Sequence, residues 1–191
     1  TPEELKMQMP IARDILTAMG IKYYELEPYE ADDIIGTFAK YCNNNNEYDA
    51  LIVSSDKDLL QLITPEVEMK LLKTKDYIKY NPVNFKEDWG FEPIHMIDYK
   101  ALAGVKGVGD KTAIKLLKEY KDLEDIYNHI DEIKGSLKDK LVNDKEMAFV
   151  SKEMATIYKD VPIDVNFDNI KYTGSNEDVL YEIYKDLEFY S

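Results

Sequence analysis

The sequence predicts an α/β fold, a mostly parallel central sheet flanked by helices, with an all-helical part after it. Three observations carry this. A strand-like run, a helical pattern and a second strand-like run follow one another in the first third, the order of a βαβ crossover. Residues 67–80 read as a hairpin that closes a sheet edge, and from Asn81 onward the apolar spacing is helical.

Each element has a local reason. Thr1-Pro2-Glu3-Glu4 reads as a helix start, with Thr as cap, Pro at the first helical position and Glu three residues after the cap. That helix carries Leu5, Ile11, Ile15 and Met19 inward, stops at Gly20 and is expected to kink at Pro10. Opening on a helix cap with no strand before it, the chain is expected to begin partway into a domain. Residues 21–26 read as a strand, 32–41 as a helix with Ile34, Ile35 and Phe38 inward, and 50–53 as a buried strand. Val67–Leu72 and Tyr77–Tyr80 form the hairpin, joined through residues 73–76. Asn81-Pro82 is another cap-plus-proline start, Gly90 a stop and Pro93 a restart. Helices are expected through Ala103 and over 110–120, 123–130 and 144–158. A short extended piece at 161–165 then precedes a last helix near 177–187. No internal repeat or low-complexity linker interrupts the chain.

A chain of 191 residues with 45% hydrophobic content can bury one good core, or one core with a small satellite module. Its 15 Tyr and 6 Phe supply enough apolar surface to exclude disorder. No run approaches the length of a membrane span, and no charged-then-apolar leader opens the sequence. The single Cys42 falls on the apolar side of a helical pattern and reads as a buried, reduced thiol, which suits a cytoplasmic protein. His95 and His129 are isolated and read as structural or surface residues, with nothing nearby to complete a zinc site or a catalytic triad.

A net charge of −14 argues against a nucleic-acid partner if taken in bulk. Its distribution says otherwise. Residues 100–121 hold six lysines (Lys100, Lys106, Lys111, Lys115, Lys118, Lys121) against Asp110 and Glu119, a local balance of +4. A basic island on an acidic chain is a sign of phosphate contact.

Five carboxylates stand where two strand-like runs end: Glu30, Asp32 and Asp33, then Asp56 and Asp58. Either group alone has an ordinary explanation, since acids favour helix starts and aspartate favours turns. In an open parallel sheet, however, both groups would gather at the same carboxyl edge, where such sheets bind ligands. Like charges placed together need a compensating cation, and bare carboxylates suit Mg²⁺ or Mn²⁺. The chemistry implied is metal-dependent and directed at phosphate.

The second motif is Gly104-Val105-Lys106-Gly107-Val108-Gly109-Asp110-Lys111-Thr112-Ala113, a glycine-rich turn between two helices. The second helix places Lys111, Lys115 and Lys118 on one side. Glycines let backbone approach a phosphate, and the helix start aims free N–H groups at it. This is the helix–hairpin–helix pattern for gripping a nucleic-acid backbone without reading bases. It is not a nucleotide P-loop, because the upstream glycine spacing is wrong and no strand precedes it. A tight turn in a helical bundle is the plain alternative.

Together these residues resemble the 5′-nuclease (flap endonuclease-like) domain of bacterial DNA polymerase I, a PIN/5′-nuclease-like fold. Tyr29-Glu30-Ala31-Asp32-Asp33-Ile34-Ile35-Gly36-Thr37 is similar to that family's second acidic motif. Val53-Ser54-Ser55-Asp56-Lys57-Asp58-Leu59-Leu60-Gln61-Leu62 is similar to its third. Asp98-Tyr99-Lys100-Ala101-Leu102 with Gly107-Val108-Gly109-Asp110-Lys111-Thr112-Ala113 resembles its helix–three-turn–helix element, and residues 180–191 resemble the segment leading to the polymerase's next domain.

The resemblance implies an α/β metal-binding part over 1–80 and a helical DNA-binding part over 81–191, with the hairpin near 98–120. It implies a 5′-3′ exonuclease and 5′-flap endonuclease for primer removal and repair. Glu30, Asp32, Asp33, Asp56 and Asp58 are then catalytic metal ligands in a two-metal Mg²⁺ or Mn²⁺ site. Lys106, Gly107, Val108, Gly109, Lys111, Thr112 and Lys115 are then the DNA contacts, with K⁺ at the hairpin. The implied partner is DNA with 5′ flaps, nicks or primers, the implied state a monomer or part of a longer polymerase chain, and the implied place the bacterial nucleoid. Two departures stand out. Thr1-Pro2-Glu3-Glu4 resembles the sequence after the family's basic arch, so the front strand and arch are missing here. Between Gly104 and Val105 the family carries an Asp-x-x-Asp-Asn segment that serves the second metal, and this sequence runs straight through; the expectation is that the segment belongs there in the intact protein. A non-catalytic DNA-binding module and a stand-alone nuclease with a reduced metal site remain alternatives.

Overall fold

The computed structural model describes residues 2–45 and 47–189. In chain order its elements are α1 (Glu3–Ala18), α2 (Ala31–Asn43), β1 (Ala50–Ser54), a 3₁₀ helix (Lys57–Leu62), β2 (Val67–Leu72), β3 (Tyr77–Tyr80) and α3 (Pro82–Trp89). After a 3₁₀ turn (Pro93–His95) come α4 (Met96–Gly104), α5 (Asp110–Glu119), α6 (Leu123–Asn128), α7 (Ser136–Asn143) and α8 (Lys145–Ala155). A further 3₁₀ turn (Phe167–Ile170) and α9 (Glu177–Asp186) complete the order. The chain divides into two compact units, residues 30–161 and the two flanking segments, 1–29 with 162–191.

In the flanking unit α1 packs on α9, and the Asn176 N–H donates to the Ala18 carbonyl at 2.7 Å. Pro10 lies inside α1 without ending it. The expected Thr1 cap lies outside the described residues, and Leu5 is exposed rather than turned inward. Residues 21–26, expected as a strand, join no ladder. Their aromatic and β-branched side chains suit a strand, yet Lys22 and Glu25 interrupt them, and ladder formation needs a neighbouring edge that propensity cannot supply.

The larger unit is built on a mixed three-stranded sheet in the order β1-β2-β3. β1 pairs parallel with β2, and β2 pairs antiparallel with β3. The sheet is therefore mixed, not mostly parallel, and the crossover between its parallel strands is made by the 3₁₀ helix. β2 shows why it forms: Val67, Met69 and Leu71 are buried while Glu68 and Lys70 alternate outward. β1 was expected to be buried, but only Ile52 is, with Leu51 and Val53 exposed. The helical part starts as its cap residues dictate: Asn81 Oδ1 accepts from the Val83 and Asn84 N–H groups, Pro82 opens α3, and Gly90 ends it in the left-handed region. Phe85, Phe91, Trp89 and Tyr99 form one aromatic cluster joining α3 to α4. Cys42 is buried on α2, and burial pushes its thiol up, as an inert core thiol requires. No described helix is long and apolar enough to cross a membrane.

Candidate functional site

Glu30, Asp32 and Asp33 stand at the start of α2, where acids complement the helix dipole. Glu30 is exposed and Asp32 half-buried. Both oxygens of Asp33 hold backbone: Oδ2 accepts from the Glu30 N–H at 3.2 Å, and Oδ1 accepts from the Tyr158 N–H at 3.0 Å. Asp33 thus has a structural task that the sequence does not reveal, because Tyr158 is far along the chain.

Asp56 and Asp58 open the 3₁₀ helix that follows β1. Asp56 Oδ1 accepts from the Asp58 N–H at 2.9 Å, and the Asp56 N–H donates to Ser54 Oγ at 3.0 Å. Asp58 is half-buried, and its Oδ1 lies 2.5 Å from Lys100 Nζ. That contact is an ion pair without hydrogen-bond geometry, and among the described residues Asp58 Oδ1 is the buried side-chain oxygen left without a hydrogen bond. Lys100 comes from α4 and is absent from the expected site set; its membership in the basic island is the signal that could have found it.

Among the described residues no three His, Cys, Asp or Glu side chains converge to hold a metal ion. Gathering both groups at one parallel-sheet edge needed a strand over 21–26, and that strand is absent. The donor chemistry fits a hard divalent cation all the same. Every candidate is a bare carboxylate, and one oxygen of Asp58, buried without a hydrogen bond, already draws a cation in the Lys100 ammonium.

The glycine-rich turn joins α4 to α5. α4 passes directly into the turn, with the Val105 N–H on the Leu102 carbonyl at 3.1 Å and the Val108 N–H on the Val105 carbonyl at 3.0 Å. Gly107 takes φ +81°, and Gly109 is the N-cap of α5. Val108 is buried and anchors the loop, Lys106, Gly109, Lys111 and Lys115 are exposed, and Thr112 is half-buried. Lys115 also pairs with Glu119 at 3.7 Å.

Two residues that sequence reasoning missed brace the turn. Lys140 Nζ donates to the Gly107 carbonyl at 3.0 Å, and Asp144 Oδ2 accepts from the Lys106 N–H at 2.8 Å. The Lys106 N–H is therefore committed to protein and not to a phosphate. Lys140 lies on α7, a helix the apolar pattern does not announce, so nothing local tied it to the hairpin.

A buried charge network anchors α4, the helix that bears Lys100 and leads into the hairpin. Asp98 is 1% exposed, accepts from the Leu123 N–H at 3.2 Å, and lies 2.8 Å from both Lys152 Nζ and His95 Nδ1. Burial pushes its carboxyl up, but the hydrogen bonds from His95 and Lys152, the lysine's charge and the Leu123 N–H together hold it below the ordinary range. Lys152 is half-buried; burial pulls its ammonium down, and bonds to Asp98 and Glu124 raise it overall. His95 is thus structural, as expected.

The 5′-3′ exonuclease N-terminal resolvase-like domain matches residues 1–90, and the 5′-3′ exonuclease C-terminal SAM fold matches residues 91–178. DNA polymerase I of Bacillus subtilis is 44% identical over 200 residues, covering 99% of this chain and 23% of the relative. That of Caldicellulosiruptor bescii is 41% identical over 203 residues, covering 100% of this chain and 24% of the relative. The chain thus spans about a quarter of the length of these relatives. T5 5′-exonuclease with bound divalent zinc ions shares the fold, with a TM-score of 0.64 at 20% identity, over 98% of this chain and 72% of that one. So does the catalytic core of Rad2 in complex with DNA substrate, at 0.65 and 21%, over 97% and 66%. Matched through both of its halves, the chain belongs to the 5′-3′ exonuclease family, as a 5′-3′ exonuclease domain homologous to the N-terminal region of bacterial DNA polymerase I.

Proposed function

We propose that the chain hydrolyses phosphodiester bonds at 5′ ends and 5′ flaps of DNA, with a divalent cation, for primer removal and repair within a DNA polymerase I. The observation that carries this reading is that both carboxylate-bearing helix starts and the basic hairpin belong to one compact unit, residues 30–161. Glu30, Asp32, Asp33, Asp56 and Asp58 would hold Mg²⁺ or Mn²⁺, some of them through water. Bound there, the cation supplies a water of lowered pKa and charge stabilisation for the leaving oxygen. A second cation is part of the proposal only where further carboxylates join these five.

The chain's own residues do the rest. Asp33, bonded through both oxygens, orients the start of α2, and Asp56 orders the turn that presents Asp58. Lys106, Lys111, Lys115 and Thr112, with the backbone of Gly107, Val108 and Gly109, hold a duplex backbone as point charges and hydrogen-bond donors. K⁺ at the hairpin belongs to the same reading, although the Gly107 carbonyl is held by the Lys140 ammonium in this structure. Nicked, primer-containing or flapped duplex is the substrate class, and the domains 1–80 and 81–191 are assigned to metal and DNA respectively. Incubating the purified chain with a 5′-flap substrate, with and without Mg²⁺, tests the proposal. Metal-dependent cleavage that Asp56→Asn abolishes supports it; no cleavage, or cleavage indifferent to that change, defeats it.

A further inference from the structure

We infer that Gln61 is a positioning residue that sets the two carboxylate-bearing elements against each other, an inference that rests on the metal-centre reading above. Gln61 lies on the 3₁₀ helix opened by Asp56 and Asp58, and it is 3% exposed. Its Nε2 donates to the Asp58 carbonyl at 2.9 Å and to the Ala155 carbonyl at 2.8 Å. Its Oε1 accepts from the Ile157 N–H at 3.1 Å. One carboxamide thus ties the backbone of a candidate ligand to the strap, residues 155–161, that leaves the end of α8.

The other side of the strap is tied to α2. Asp33 Oδ1 takes the Tyr158 N–H at 3.0 Å, and Thr37 Oγ1 takes the Val161 N–H at 3.1 Å while donating to the Asp33 carbonyl at 2.8 Å. Lys40 pairs with Asp160 at 2.5 Å. Gly36 lets the strap lie this close, since a Cβ there would stand 2.7 Å from Ile157 Cγ2. The strap is therefore a spacer bonded to both acid-bearing elements, and Gln61 is its fastening on the Asp58 side. Only a carboxamide of this length offers two donors and one acceptor to these three backbone groups. The opposite end of α8 begins at Asp144, which holds the Lys106 N–H of the hairpin. One helix thus runs from the DNA-gripping turn to the fastening between the carboxylate groups.

A core glutamine that merely fills space would predict a general loss of folding; a positioning residue predicts a selective one. The readouts are Mn²⁺ affinity by electron paramagnetic resonance, duplex affinity by fluorescence anisotropy without metal, and 5′-flap cleavage, all on the purified chain. Gln61→Met, similar in length but without the amide, is expected to weaken Mn²⁺ binding roughly tenfold. Its duplex affinity is expected to stay within about twofold of wild type. Thr37→Val is expected to shift Mn²⁺ affinity in the same direction, and Thr37→Ser to restore it. Unchanged Mn²⁺ affinity in folded Gln61→Met, or parallel losses of Mn²⁺ and duplex binding, overturns the inference. Where Gln61→Met does not fold, the Thr37 pair decides, and a Thr37→Val protein with wild-type Mn²⁺ affinity overturns it. A wild type that binds Mn²⁺ but leaves the flap uncut defeats the nuclease proposal and leaves this comparison standing; a wild type that binds no Mn²⁺ overturns both.

Discussion

Replacing Asp98 by alanine removes the acceptor at the centre of the network that holds α4. Three groups lose a partner at once, and their surroundings set the cost. The Leu123 N–H lies among fully buried atoms and is left unsatisfied, at about 1–3 kcal/mol. Lys152 keeps Glu124 at 2.5 Å, so its charge is only partly stranded, and His95 can turn to solvent. Breaking a buried ion pair from one side costs about 3–5 kcal/mol, and the surviving Glu124 contact favours the lower end, about 3 kcal/mol. For a chain of this length that is a drop of roughly 6–12 °C in melting temperature. Asp98→Asn keeps the acceptor for Leu123 and is expected to cost about half as much.

The pH dependence separates the charge from the shape. The folded carboxyl sits below its ordinary value of 3.8, so its contribution is complete above that value and is lost as pH falls through the folded-state value. Lys152 is raised above 10.5 in the fold, so its share is present below that value and fades as pH rises through the folded-state value. The stability gap between wild type and Asp98→Asn is therefore widest in the neutral range and narrows at both extremes. Urea unfolding followed by circular dichroism, repeated across pH, reads this directly. A cost under about 1 kcal/mol for Asp98→Ala, or a gap that ignores pH, refutes the reasoning.

Other outcomes follow from single contacts. Gly36→Ala gains about 0.5–1 kcal/mol in helix propensity but drives a methyl to 2.7 Å from Ile157 Cγ2, so a net fall in melting temperature is expected, and a rise would count against the close approach of the strap. Lys100→Met strips Asp58 of its ion-pair partner, so Mn²⁺ should raise the variant's melting temperature more than the wild type's; equal shifts would mean that the lysine does not compete for that oxygen. Lys111→Ala should weaken duplex binding alike for all sequences and lower the salt slope by roughly one unit, whereas a sequence-dependent loss would contradict a backbone contact.

What could be read from the chain depended on how far each interaction reaches along it. Val67, Met69 and Leu71 alternate with charge, and Asn81-Pro82 and Gly90 mark a helix start and stop, so those elements stand where local pattern puts them. The turn around Gly107 was legible for the same reason. The short 3₁₀ helix Lys57–Leu62 offers too few residues for a full period, although its aspartates mark the end of a strand-like run. α7 lies in a polar stretch whose one buried side chain, Leu141, sets no pattern. Asp98 looks like any surface acid on a helix until Lys152 and Leu123 arrive from elsewhere.

The candidate site shows the same limit at its most consequential point. The five carboxylates were identified by residue type, but their grouping was argued from a parallel sheet whose first strand, residues 21–26, joins no ladder. What ties α2 to the 3₁₀ helix is instead a set of bonds spanning the chain: Gln61 to Ala155 and Ile157, Asp33 to Tyr158, Thr37 to Val161. Each of those side chains has an unremarkable local reading, as a helix glutamine, a capping acid or a helix threonine. Their meaning lies in backbone groups about a hundred residues away that no periodicity encodes. A site whose ligands are local but whose spacing is long-range announces its chemistry in sequence and withholds its geometry. Substitutions that change the spacing without touching a ligand are therefore the sharpest test of whether these carboxylates act together.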